Sequence, residues 1–162
     1  MNSQLRNASV VSAVFVVALW CAGSAALTVN VTGVVVEGAC YVNDGNAINV
    51  DFGSNLQARL IDGAEFMQNI EYTVSCEGLD SNDLEMQFEG TGASFDDSYL
   101  TTDREGLGIK LYIDGEAMPL NTWFTFTLPA LPVLQAAPVK DDSGDIETGT
   151  FSASGTLKIQ YQ

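Results

Sequence analysis

The chain contains no histidine, and its basic residues are scarce: six Lys and Arg stand against 21 Asp and Glu. Without histidine it lacks the commonest general base and the commonest metal ligand, which excludes most hydrolase triads and most zinc sites. The shortage of lysine and arginine leaves a formal net charge of −15. A surface of that sign repels phosphate backbones and anionic lipid, so nucleic acid and membrane surfaces are poor partners. Beyond Leu27 there is no long stretch with apolar residues at helical spacing, no internal repeat and no low-complexity linker. What remains, 162 residues of which 46% are hydrophobic, suits a single folded domain.

Residues 1–26 read as a secretory signal. Arg6 is the one charge, an apolar run from Val10 to Cys21 follows, and the small residues Ala22-Gly23-Ser24-Ala25-Ala26 offer a cleavage site near Ala25 or Ala26. The run is shorter than the roughly 20 apolar residues that a spanning helix needs, so no membrane span is expected in the mature chain. Bulky Trp20 before Cys21 argues against a lipoprotein signal. Cleavage would leave Cys40 and Cys76, an even pair in an oxidising compartment, for which a disulfide is the default and two buried free thiols the alternative.

The rest of the chain alternates in the manner of strands. Ile48, Val50 and Phe52 end at Gly53; Ile70, Tyr72, Val74 and Cys76 end at Glu77-Gly78; Leu84, Met86 and Phe88 end at Gly90. Ile109, Leu111 and Ile113 end at Asp114-Gly115, a hairpin signal, and Phe124, Phe126 and Leu128 end at Pro129. Short strands divided by turn residues predict an antiparallel sandwich, one face of each sheet buried.

Both ends carry a long alternation. From Phe151 the residues Phe151, Ala153, Gly155, Leu157, Ile159 and Tyr161 share one face, opposite Thr150, Ser152, Ser154, Thr156, Lys158 and Gln160. An apolar strand edge left uncovered is an aggregation hazard, so an earlier strand or another molecule must cover it. At the other end Leu27, Val29, Val31, Gly33 and Val35 alternate with Thr28, Asn30, Thr32 and Val34. This segment either pairs at home as a first strand or is offered to a neighbour by β-augmentation.

Taken together, these residues resemble a pilin subunit of the chaperone–usher fimbriae (type 1/P-like) of Gram-negative bacteria. The resemblance covers the whole chain: a signal, Val31-Thr32-Gly33-Val34-Val35 ahead of Cys40, a second cysteine at Cys76, and Gly149-Thr150-Phe151 followed by alternation to the penultimate Tyr161. It implies an all-β, incomplete immunoglobulin-like sandwich that lacks its C-terminal strand and is completed by donor-strand complementation. Residues 27–38 would be the donor-strand extension and 39–162 the pilin domain. Val29, Val31 and Val35 would be the donated side chains, with Gly33 at a shallow pocket. Gly149, Phe151, Leu157, Ile159 and Tyr161 would border the acceptor groove and chaperone contact, and the carboxylate of Gln162 would meet basic residues of the chaperone. Cys40 and Cys76 would tie the first strand to the second. The implied partners are neighbouring pilin subunits, a periplasmic chaperone and an outer-membrane usher, with export through the periplasm to a surface fimbrium that supports cell adhesion. No cofactor is implied, nor any catalysis. With no second domain expected, the resemblance is to a minor or adaptor pilin rather than a lectin-bearing tip, with a major shaft subunit as the alternative.

Three other readings compete. Asp96-Asp97 and Asp141-Asp142 are paired acids of the kind used in glycosidic chemistry, but both pairs lie in turn-like sequence where carboxylates are simply solvated. The run Asp141 to Glu147 offers alternate oxygens for calcium yet lacks the EF-hand pattern. A self-contained periplasmic or extracellular β-sandwich binding module, with its first strand paired at home, is the principal alternative. The Trp123-Phe124 pair is expected in the core or lining the groove.

Overall fold

The computed structural model describes residues 39–78, 80–142, 146 and 148–161. The expected signal, the donor residues Val29, Val31, Gly33 and Val35, and Gln162 lie outside the described residues. Among the described residues no helix is long and apolar enough to cross a membrane.

The architecture is all-β. In chain order the first strands are β1 (Ala39–Val42), β2 (Gln68–Asn69), β3 (Val74–Glu77), β4 (Asp83–Glu89) and β5 (Leu100–Thr101). The rest are β6 (Leu107–Ile113), β7 (Glu116–Met118), β8 (Trp123–Thr127), β9 (Leu134–Lys140) and β10 (Thr156–Tyr161). β1 pairs with β3; β4 lies between β10 and β8; and β2, β9, β6 and β5 form a further sheet in that order, with β7 hairpinned onto β6. Every pairing among them is antiparallel.

Period-two alternation dictates which side chains meet between the sheets. On β4, Leu84 and Met86 are completely buried, facing the interior while Glu85 and Gln87 point outward. Met86 joins Ile109 and Leu111 of β6, Leu134 and Ala136 of β9, and Ile70, Leu100 and Leu120 in one core. The Asp114-Gly115 turn joins β6 to β7 with φ of 49° and 85° at the two residues. Both left-handed values belong to a type I′ turn, whose twist matches that of the flanking strands.

Four expectations need correction. Of the single strand expected over 70–76 only Val74–Cys76 forms a ladder, with β1 through β3; residues 70–73 form none, and the pairing with β9 lies just ahead of them in β2, continued by the Ile70 N–H to the Leu134 carbonyl. The inward alternation of Ile70, Tyr72, Val74 and Cys76 survives this change of sheet, which is why one run of sequence looked like one strand. Residues 46–52 keep Ile48, Val50 and Phe52 packed on the core, yet no ladder covers them among the described residues. At the C-terminal end, ladder pairing starts only at Thr156, not at Phe151. Finally, Trp123 stands on the outer face of β8, 37% exposed, while its neighbour Phe124 packs against the core.

The longest strand not foreseen is β9. β9, of sequence LQAAPVK, lies between β2 and β6 in the sheet although it contains Pro138. The Pro138 carbonyl accepts from the Gly63 N–H at 2.9 Å, on the edge away from β6. Carbonyl and nitrogen of one strand residue point to the same side, so the missing N–H falls where the β6 ladder does not need it.

Candidate functional site

The two stretches without a ladder face each other. Between them opens a slot of about 910 Å³, with Cys40–Val42 and residues 45–50 and 52 on one wall, and Phe151 to Leu157 and Ile159 on the other. Its floor is the core itself: Ile70, Leu100, Ile109, Leu111 and Ala136, with Phe88. β1 runs beside β10 at one end, and the rings of Phe52 and Phe151 meet across the other with centroids 6.0 Å apart. The walls therefore run antiparallel.

Each wall is anchored from behind. On the first, Cys40 and Cys76 sit opposite each other in the β1–β3 ladder and are joined by a disulfide. Closing a loop of separation 36 stabilises the fold by roughly 4 kcal/mol in the chain-entropy model. On the second, β10 pairs along its whole length with β4, matching Leu157 to Phe88 and Ile159 to Met86. Ahead of β10 the attachment changes. Asp103 donates its backbone N–H to the Ser152 carbonyl at 3.0 Å, and its carboxylate accepts the Ser152 N–H at 2.8 Å and hydroxyl at 3.0 Å. The Ser152 N–H, and next its hydroxyl, hold the Asp103 carboxyl below the ordinary carboxylate value. Arg104 donates from Nε to the Thr150 carbonyl at 2.8 Å.

The residues singled out in the sequence divide as follows. Phe151, Leu157 and Ile159 line the slot. Gly149 precedes it with φ 138°, and Tyr161 ends β10 at 49% exposure, neither of them among the lining residues. Phe52, the floor residues Leu100 and Ala136, and the pair Asp103 and Arg104 were not singled out for the site. Phe52 carried a signal in its alternation with Ile48 and Val50; Asp103 and Arg104 carried none, because their partners are some 50 positions away, at a sequence separation of 49 for Asp103 with Ser152.

The slot is apolar at its base and bordered by backbone. On the outer face Lys158 pairs with Glu89 at 2.7 Å. Among the described residues no group of three or more His, Cys, Asp or Glu side chains is placed to hold a metal ion.

Comparison with known proteins identifies the class to which this fold belongs. The chain belongs to the fimbrial protein family, whose model matches residues 27–162. Among its relatives are the uncharacterized fimbrial-like proteins YfcR and YfcQ of Escherichia coli (strain K12). YfcR is 34% identical over 118 residues, 70% of this chain and 69% of that protein. YfcQ is 30% identical over 129 residues, 76% of this chain and 79% of that protein. In fold the chain is similar to the P pilus adaptor subunit PapF (TM-score 0.54, 22% identity, covering 76% of this chain and 95% of that one). It is also similar to the P pilus rod subunit PapA (TM-score 0.60, 18% identity, covering 76% and 99%). The chain is thus a structural subunit of fimbriae.

Proposed function

We propose that this subunit polymerises by donor-strand exchange: its slot receives a strand from another molecule, and its own segment 27–38 fills the slot of the next. The observation that carries this reading is the slot, which opens onto the core between β1 and β10, each a sheet edge among the described residues, and the ladder-free stretches 46–52 and 151–155 that continue its two walls. From Phe151 to Ile159 the wall spans about 26 Å at ~3.3 Å per residue, the same number of residues as Leu27 to Val35. A strand with Val29, Val31 and Val35 facing down would cover the floor, each valine contributing about 1.5–3 kcal/mol of burial. Gly33 would cross where depth is least. Gly149, Phe151, Leu157, Ile159, Tyr161 and Gln162 would form the acceptor edge met first by a periplasmic chaperone. The outer-membrane usher would then replace the chaperone with the incoming subunit. On this reading the subunit is exported through the periplasm to a surface fimbrium, where it serves adhesion as a minor or adaptor pilin.

Binding of a synthetic peptide of residues 27–38 to the full chain tests this. A bound peptide should slow amide exchange over 46–52 and 151–155 and raise Tm, while a scrambled peptide should do neither. Equal exchange with both peptides at saturating concentration would refute the proposal.

A further inference from the structure

The second wall is built in two ways, and the difference lies along its length. From Thr156 onward it is one strand of a ladder with β4. Over 150–152 it is tied instead to Asp103 and Arg104, which follow β5. These contacts flank Phe151, the residue whose ring leans on Phe52 across the slot. Thr102 braces the tie, its hydroxyl accepting the Arg104 N–H at 3.0 Å and donating towards the Leu107 carbonyl at 2.9 Å. Gly149 makes room for it: a Cβ there would stand 2.8 Å from Arg104 Nη2, on a backbone with φ 138° that side chains disfavour.

We infer that Asp103 and Arg104 are positioning residues for strand capture, a clamp that holds the Phe151 end of the acceptor wall in place before the incoming strand arrives. The inference rests on the donor-strand reading of the slot and adds to it a pair of residues that do not line the slot. A wall ordered in advance spares the incoming strand the cost of ordering it, so the clamp acts mainly by slowing strand escape. The Asp103 carboxylate suits the task because it accepts from both the N–H and the hydroxyl of Ser152, and charged acceptors make the stronger hydrogen bonds.

The test uses the full chain, the peptide of residues 27–38, and the variants Asp103→Ala, Asp103→Asn, Arg104→Ala and Gly149→Ala. Amide exchange over 151–155 should quicken about tenfold or more in Asp103→Ala and Arg104→Ala. Exchange over 156–161 and in β6 should stay as in the parent, a localisation that general destabilisation would not produce. The peptide should leave these variants about tenfold faster, and Asp103→Asn should recover part of the loss because its amide oxygen still accepts. Gly149→Ala should resemble Arg104→Ala, and the two changes together should cost less than their sum. If the parent binds the peptide and Asp103→Ala and Arg104→Ala release it at the parental rate, the clamp is refuted. If the parent does not bind it, the donor-strand reading fails, and exchange over 151–155 still decides whether these residues hold the wall.

Discussion

Leu111 lies in the core and in the slot floor at once, because among the described residues nothing covers this core over the gap between residues 45–52 and 151–159. Truncating such a side chain removes buried surface and leaves a cavity. Leu111→Ala should therefore cost about 2–5 kcal/mol in denaturant unfolding, and it should also weaken peptide capture. The carboxylates of Asp62, Asp96 and Asp103 make a second expectation at this scale. Each is held below its ordinary value by hydrogen bonds: Asp62 by the N–H groups of Glu65 and Ala64, Asp96 by the hydroxyl and N–H of Ser98, Asp103 by Ser152. A carboxyl lowered in the fold stabilises it above the ordinary value and loses that contribution as pH falls through the folded value. Stability measured by denaturant titration should thus decline below about pH 4, with a shallower decline in Asp103→Ala. Retention of full stability at pH 3 would contradict this assignment.

At the scale of the element, the β6–β7 hairpin offers the cleanest test. Gly115 holds φ 85° in the turn, and a β-branched residue there incurs the left-handed penalty of roughly 1–2 kcal/mol. Gly115→Val should lower Tm accordingly, with the disulfide and slot intact. Elements of this kind were legible in the sequence because alternation and turn chemistry agreed: β4, β6 and β8 lie where Leu84, Ile109 and Phe124 begin their runs. β9 was not legible. Its small alanines and Pro138 give no period, and its place beside β6 follows from partners distant in sequence. Residues 46–52 and 151–155 were read as strands from a pattern that is real, since Ile48, Val50, Phe52 and Phe151 all pack against the core. What sequence could not reveal is that their ladder partner is missing from the described chain, because periodicity reports which face is buried and not which edge is paired.

At the scale of the molecule the decisive property of the described residues is a sandwich whose core opens onto a slot bordered by antiparallel walls. The two cysteines, the alternating C-terminal strand and the apolar segment before Cys40 suggested a pilin from the sequence, and the fimbrial family match covers 27–162. The slot's floor came from the structure, since Ile70, Leu100, the β6 pair Ile109 and Leu111, and Ala136 are drawn from four separate parts of the chain. Whether the strand that fills this slot is foreign is the point on which function turns. It can be measured by placing a photoreactive residue at Val31, mixing light and isotopically heavy copies of the full chain under assembly conditions, irradiating, and sequencing the cross-links. Donor-strand exchange predicts links from position 31 of one copy to Leu157 or Ile159 of a copy of the other isotope. Links confined to single copies would mean that the chain fills its own slot, and would contradict it.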